Sequence, residues 1–270
     1  MLGSSPEDDG RTGRAIGLPV RWSLVTSDTS APSRRSEPPL EAPAAVLWDM
    51  DGTLVDTEPY WMASEHALVG SFGGVWTHED AMSLVGSGLP ASARILQGKG
   101  VDLPVEAIID RMTDEVIARL AVDIPWRPGA LELLSAVSEA GLPQALVTMS
   151  IGRMAAAVVD RLPLPAFTTV VSGDMVERSK PHPEAYLLAA QTLSVDVEAC
   201  VAIEDSHAGL AAAVASGAAA IGVPHQLVLD PDAPYALWPT LSGRTVADLA
   251  LVSSEHRRAR SRTTETEARR

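Results

Sequence analysis

Residues 44–59 read AAVLWDMDGTLVDTEP and constrain the fold more than any other part of the chain. The apolar run before Asp49 predicts a short buried strand that ends in two carboxylates, Asp49 and Asp51. Side chains two residues apart in an extended chain lie on the same side. Both acids are therefore expected at the C-terminal edge of the strand, where open parallel α/β sheets bind ligands. A solvated turn also produces Asp-x-Asp-Gly, but the flanking apolar residues favour a functional site.

The chain has 270 residues, enough for one large domain or for a core with an inserted subdomain. Its formal net charge is −14, and residues 44–251 hold ten basic and twenty-six acidic residues. This acidic body argues against nucleic acid or an anionic membrane surface as a partner. A phosphorylated substrate would consequently need local positive charge, from a metal ion or from a well-placed cation.

Cysteine content and hydropathy indicate where the protein works. The single cysteine, Cys200, excludes an intramolecular disulfide and favours a cytoplasmic location. No apolar run reaches the roughly 18 residues of a membrane-spanning helix, so none is expected. A monomer is the expected oligomeric state.

The distribution of patterns along the chain predicts four regions. Residues 1–43, rich in Ser, Pro, Arg and Asp, are predicted to be a disordered extension, and residues 252–270 a disordered charged tail. Residues 59–125 show helical spacing of apolar residues and no strand pattern. Residues 44–58 and 126–251 alternate strands and helices, which predicts a Rossmann-like α/β core with a parallel sheet flanked by helices.

Two further strand ends carry groups that suit a phosphate. Thr148, in LVTMS, follows a strand and precedes a helix, and a hydroxyl with free N–H groups at a helix N-terminus suits an anion. Ser150 could instead be an ordinary N-cap. Lys180, in SKPHPE, is one of two lysines beside nineteen arginines and lies in a stretch stiffened by proline. A solvated surface lysine is the usual interpretation of a Lys, and the rigid setting and the preference of the chain for Arg argue against it here.

The stretch VAIEDSHAG, residues 201–209, predicts a buried strand that ends in Glu204 and Asp205. Adjacent carboxylates repel each other unless a cation or a proton lies among them. Together with Asp49 they would form a site of hard oxygen ligands suited to Mg²⁺.

These motifs resemble a known family. DMDGTLVDTEP closely resembles the first motif of the haloacid dehalogenase superfamily, in its magnesium-dependent phosphatase branch, and the three stretches above resemble the other motifs in the expected order. The resemblance covers roughly residues 44–251 and is closest to β-phosphoglucomutase-like and sugar-phosphate phosphatase-like members. It implies that residues 59–125 form a small helical cap that helps to select the substrate.

The resemblance also implies a mechanism. Asp49 would attack phosphorus and form an aspartyl-phosphate. Asp51 would protonate the leaving oxygen and then take a proton from the hydrolytic water. Thr148 and Lys180 would hold the phosphoryl oxygens. The implied ligands of Mg²⁺ are Asp49, the backbone carbonyl of Asp51, Asp205 and, as a further candidate, Glu204.

The predicted function is hydrolysis of a small phosphorylated metabolite, such as a sugar phosphate, with Trp61 and Trp76 as apolar walls for the substrate. A sugar phosphomutase is the alternative. Such mutases usually have a β-branched apolar residue at the position of Thr53 and a histidine at the position of Trp61, and residues 84–90 lack their basic cap residues. A dehalogenase would lack the second acid, Asp51. A non-catalytic binding protein is a third interpretation, and the presence of all the motif residues argues against it.

Overall fold

The computed structural model describes the backbone of residues 40–268 and the side chains of residues 40–262. The predicted extension, residues 1–43, lies outside the described residues except for its last four. A six-stranded sheet has the order β3-β2-β1-β4-β5-β6, and all of its neighbouring strands pair in parallel. Its strands are β1 (Val46–Trp48), β2 (Gln144–Val147), β3 (Thr169–Val171), β4 (Val201–Glu204), β5 (Ala219–Gly222) and β6 (Ala236–Leu237).

Helices cover both faces of this sheet, because successive side chains of the buried strands point to opposite faces. Trp48 packs with Leu133 and Met154 in one apolar cluster. Leu47, which points to the opposite face, packs with Tyr186 in the other. The predicted α/β fold is confirmed. The helices are α1 (Glu58–Ser71), α2 (His78–Met82), α3 (Leu89–Gly98), α4 (Val105–Leu120), α5 (Ala130–Glu139), α6 (Gly152–Val159), α7 (Glu184–Thr192), α8 (His207–Ser216) and α9 (Val246–Ala268).

Helices α1 to α4 form a helical insertion between β1 and α5. Its two connections to the core run side by side, since Asp56 N–H donates to Pro125 O and Arg127 N–H donates to Leu54 O. At the other end, Arg153 of α6 forms an ion pair with Asp110 of α4 at 3.0 Å. The insertion therefore touches the core both at its connections and across the carboxyl edge of the sheet. That this insertion acts as a substrate-selecting cap stays a prediction.

The prediction of a disordered tail over residues 252–270 is wrong for residues 252–268, which belong to α9. This helix packs on the core: Leu249 and Ser253 are buried, and His256 Nε2 lies 2.9 Å from Gly217 O. Arg260 forms an ion pair with Glu198. Composition indicated a solvated segment because its arginines are charged, but a charged side chain such as that of Arg260 can pair with an acid of the packed core. Within the described part of the chain, no helix is long and apolar enough to cross a membrane.

Candidate active site

Three carboxylates meet where β1 and β4 end. These strands are neighbours in the sheet, so residues 155 apart in the chain reach the same edge. Asp49, Glu204 and Asp205 each offer an oxygen within 4.8 Å of the others, and all three residues are buried. Gly52 permits the approach of Asp205, because a Cβ at Gly52 would lie 1.9 Å from Asp205 Oδ2. The predicted convergence of these acids is thus present in the structure.

Lys180 lies inside this cluster rather than in solvent. Its Nζ donates to Asp49 Oδ1 at 2.7 Å, to Glu204 Oε1 at 2.6 Å and to the Val147 carbonyl at 2.9 Å. Burial by itself would lower the pKa of Lys180, but the carboxylates of Asp49 and Glu204 outweigh it and raise that pKa above its ordinary range. The ammonium group is therefore held charged beside Asp49.

One ammonium does not balance three buried carboxylates. Burial, aided by the charge of Glu204, raises the pKa of Asp49 to about 7, and burial with the charge of Asp49 raises the pKa of Asp205 well above its usual range. Asp49 Oδ2 is buried and has no hydrogen-bond partner. An orphaned carboxylate oxygen within an all-oxygen cluster fits a hard divalent cation, whose charge would compensate the acids.

Glu204 differs from the two aspartates in how its oxygens are used. Its Oε1 accepts from Lys180 and from the Tyr186 hydroxyl, the latter at 2.6 Å, and its Oε2 accepts from Ser206 Oγ at 3.3 Å. Gly209 leaves room for this carboxylate, because a Cβ there would lie 2.0 Å from it. Glu204 thus positions Lys180, whereas Asp49 Oδ2 is left open for another group.

The Asp51 carboxylate is fixed by four donors. Oδ1 accepts from Thr57 Oγ1 at 2.6 Å and from Trp61 Nε1 at 3.4 Å. Oδ2 accepts from Thr148 Oγ1 at 3.1 Å and from Ser150 Oγ at 2.8 Å. The first pair comes from the start of the helical insertion and the second from the β2–α6 connection. Both regions together set the direction of Asp51.

The β2–α6 connection differs in part from the sequence prediction. Thr148 reaches Asp51 and also accepts from Ser150 N–H at 3.0 Å, and its predicted phosphate contact stays a prediction. Ser150 is not the N-cap of α6. That position is taken by Ile151 without a side-chain bond, and the Ser150 hydroxyl instead donates to Asp51. Local capping rules could not reveal this long-range partner.

The two tryptophans have different roles. Trp61 lines the same cavity as Asp49 and Asp51 and donates to Asp51, and its role as an apolar wall for a substrate stays a prediction. Trp76 does not belong to the described residues that line this cavity. Its Nε1 donates to Glu65 Oε2 at 3.1 Å, so it lies behind Glu65, and the prediction that it forms an apolar wall is wrong.

Sequence reasoning missed two acids on α1. Glu58 and Glu65 both line the cavity. Burial raises the pKa of Glu58 to about 8, with further contributions from Asp51 and Glu65, and burial raises the pKa of Glu65 to about 7. Their spacing with Trp61, at i, i+3 and i+7, was the available signal, because these positions share one helix face.

The comparisons with known proteins agree with this geometry. The haloacid dehalogenase-like hydrolase family matches residues 43–217. A phosphorylated carbohydrates phosphatase of Thermotoga maritima is 34% identical over 68% of this chain and 86% of its own length. Hexitol phosphatase A of Escherichia coli is 33% identical over 66% of this chain and 81% of its own length. A mutant of CbbY from Rhodobacter sphaeroides, solved in complex with xylulose-(1,5)bisphosphate, superposes with a TM-score of 0.69 at 27% identity, covering 74% of this chain and 96% of CbbY.

Proposed function

Because the chain belongs to the haloacid dehalogenase-like hydrolase family, we propose that it is a magnesium-dependent phosphatase that hydrolyses a small phosphomonoester, such as a sugar phosphate. One observation carries the proposal. Asp49 Oδ1 is held by a charged lysine while the buried Oδ2 has no partner, with Asp205 alongside. This is the arrangement that a carboxylate nucleophile next to a cation requires. The phosphatase relatives support the same reaction.

Asp49 is the proposed nucleophile. One oxygen of its carboxylate attacks phosphorus, a new P–O bond forms and the ester P–O bond breaks, with the electron pair leaving on the substrate oxygen. Asp51 donates the proton that this oxygen takes up. Asp51 then accepts a proton from a water molecule, whose oxygen displaces Asp49 and releases inorganic phosphate. The four donors to Asp51 fix the direction of its carboxylate.

The cation site is proposed from the same residues. Asp49, the backbone carbonyl of Asp51 and Asp205 would hold Mg²⁺, with Glu204 as a further candidate. When bound, the ion offsets the negative charge shared by the nucleophile and the phosphoryl group. Lys180 adds a positive charge beside Asp49, and one of its three hydrogen bonds would be exchanged for a phosphoryl oxygen. Thr148 would bind another phosphoryl oxygen once its hydroxyl turns from Asp51.

A sugar phosphomutase is the runner-up, since it uses the same aspartyl-phosphate. A mutase has to hold a second phosphate away from the reacting one, which calls for a cation in the outer part of the cavity. Among the described residues that line the cavity, Lys180 is the only basic one, and it contacts Asp49. The lining therefore favours hydrolysis.

The decisive experiment is phosphate release from p-nitrophenyl phosphate by the purified protein, with Mg²⁺, with a chelator, and after Mg²⁺ is restored. We expect turnover that is lost on chelation and regained on restoration. A panel of phosphorylated metabolites then identifies the preferred ester, and product analysis with glucose 1-phosphate separates hydrolysis from isomerisation. If none of the esters released phosphate in a Mg²⁺-dependent way, the proposal would be overturned.

A further inference from the structure

The outer half of the cavity is formed by the helical insertion and contains acids that the proposed mechanism does not use. Glu58, Trp61 and Glu65 lie three and four residues apart on α1, so they share one face, and all three line the cavity. Glu65 is only 5% exposed although it is ionisable. A buried carboxyl group that faces a ligand cavity calls for a partner there.

Glu65 has one fixed oxygen and one open oxygen. Its Oε2 accepts from Trp76 Nε1 at 3.1 Å, and Trp76 is itself buried. Within the described part of the chain, Oε1 has no hydrogen-bond partner. It is also not one of the fully buried side-chain atoms that lack a partner. Glu65 lines the cavity and Trp76 holds its Oε2, so Oε1 is the oxygen left free to accept from a group in the cavity.

The charge of the outer cavity restricts what can fill it. Lys180 is the one basic residue among the described lining residues, and its three contacts are with Asp49, Glu204 and the Val147 carbonyl. A second phosphate or a carboxylate on the leaving group would lie near Glu58 and Glu65 without a counter-charge. Where Glu58 and Glu65 are ionised, these like-charge contacts disfavour such a leaving group.

Building on the phosphatase activity proposed above, we propose that Glu65, held by Trp76, is a specificity-determining residue. Its free oxygen accepts a hydrogen bond from a hydroxyl group of a neutral, polyhydroxylated leaving group, and its position disfavours leaving groups with a second phosphate or a carboxylate. A site built to bind a hydroxyl group rejects analogues without one, because its buried polar atom would stay unpaired. Leu84, Leu89 and Met112 line the same cavity and supply apolar contact for the carbon chain.

The test uses matched ester pairs. Fructose 1-phosphate and fructose 1,6-bisphosphate differ by one phosphate, and glycerol 3-phosphate and 3-phosphoglycerate differ by one carboxylate. In each pair, we expect kcat/KM of the wild-type protein to be about 10-fold or more higher for the ester whose leaving group is neutral. This factor is on the scale of one unmatched buried charge or hydrogen bond. A higher kcat/KM for the ester with the charged leaving group in both pairs would overturn the inference.

The variants are compared by the ratio of kcat/KM for two esters rather than by the activity on one ester. For Glu65→Leu we expect the ratio of kcat/KM for the preferred polyol phosphate to kcat/KM for p-nitrophenyl phosphate to fall by roughly 10- to 100-fold. Glu65→Gln keeps an acceptor oxygen, so the ratio should fall by only a few-fold while discrimination against the anionic esters weakens. Glu79→Gln, an exposed acid on α2, is the matched control and should leave the ratio unchanged.

Trp76 is a positioning residue, and its variant separates orientation from folding. Trp76→Phe removes the N–H donor and keeps most of the ring, so we expect a rise in KM for the polyol ester and non-additivity with Glu65→Gln. If Trp76→Phe and Glu65→Gln each lowered kcat/KM equally for the polyol and p-nitrophenyl esters, Glu65 would have only a structural role. That result would overturn this inference and leave the proposed function standing. Lack of turnover of every ester by the wild-type protein would overturn the proposed function and the inference with it.

Discussion

Two groups of buried acids face each other across one cavity, and they are compensated in different ways. In the core, Asp49 and Glu204 share the Lys180 ammonium, and the buried Asp49 Oδ2 has no hydrogen-bond partner. In the helical insertion, Glu65 has only the neutral N–H of Trp76. Charge compensation makes the core acids suitable for binding and transferring a dianionic phosphoryl group. Its lack makes the insertion suitable for a neutral leaving group.

The comparison depends first on Asp49 as the reacting acid. Asp49→Asn removes the nucleophile but keeps an oxygen that can accept from Lys180, so the fold should persist. We expect kcat for p-nitrophenyl phosphate to fall by about 10⁴-fold or more, as for other covalent nucleophiles. Steady-state kinetics check this, with circular dichroism and a thermal melt as controls of folding. If the kcat of Asp49→Asn stayed within tenfold of the wild-type value, Asp49 would not be the nucleophile.

Lys180 distinguishes the core from the insertion. Lys180→Met removes the ammonium from among the acids, and we expect kcat to fall by about 10²- to 10³-fold, the loss typical of one preorganised electrostatic group. Lys99→Met is the control, because Lys99 is the other lysine and forms an exposed ion pair with Asp80, which typically contributes no more than about 1 kcal/mol. Lys99 also lies 5.8 Å from the Trp76 ring, so the two variants are compared on p-nitrophenyl phosphate, which is not a polyol ester. Similar kinetics for both variants would show that the core needs no fixed cation.

Glu65 should make the insertion sensitive to pH. Its pKa rises from 4.5 to about 7 on folding. Between those values the folded form retains a proton that the unfolded form has lost, so the free energy of unfolding falls as the pH rises, and above about 7 the loss is constant. The loss assigned to Glu65 is up to about 3 kcal/mol, at about 1.4 kcal/mol for each pKa unit.

This decline is measured by urea unfolding of the wild type and Glu65→Gln at pH 5 and pH 7.5, both with chelator. The wild type should lose more stability than the variant over this interval. Equal losses in the two proteins would mean that the Glu65 carboxyl is solvated in the folded state, and the contrast between the two groups of acids would weaken.

Asp205 sharpens the view of the core as a cation site. Asp205→Asn keeps the side-chain shape and removes one charge. We expect the Mg²⁺ concentration for half-maximal activity to rise by roughly 10- to 100-fold or more. Mutating the residues that support metal ligands typically lowers metal affinity by this factor. The stabilisation by Mg²⁺ in a thermal melt should decrease in parallel. An unchanged Mg²⁺ requirement would exclude Asp205 from the ligands.

Local patterns were sufficient for most of the fold. The apolar strand before Asp49, the alternation of strands and helices after residue 126 and the strand ending at Glu204 are all present as predicted, because each depends on neighbours in the chain. The predicted convergence of Asp49, Glu204 and Asp205 is also present, since parallel strands end at one edge of a sheet. Composition failed for α9, where charged residues pair with an acidic surface that a local window cannot include.

The sequence by itself determined which residues end the buried strands, and therefore the fold class and the edge where the acids collect. Only the tertiary structure decided how those acids are compensated: that Lys180 lies between two carboxylates, that Ser150 turns to Asp51, and that Trp76 orients Glu65. The physical reason is the range of each interaction. Hydrophobic periodicity is a property of adjacent residues, whereas a hydrogen bond or an ion pair depends on distances that exist only after distant segments have packed together.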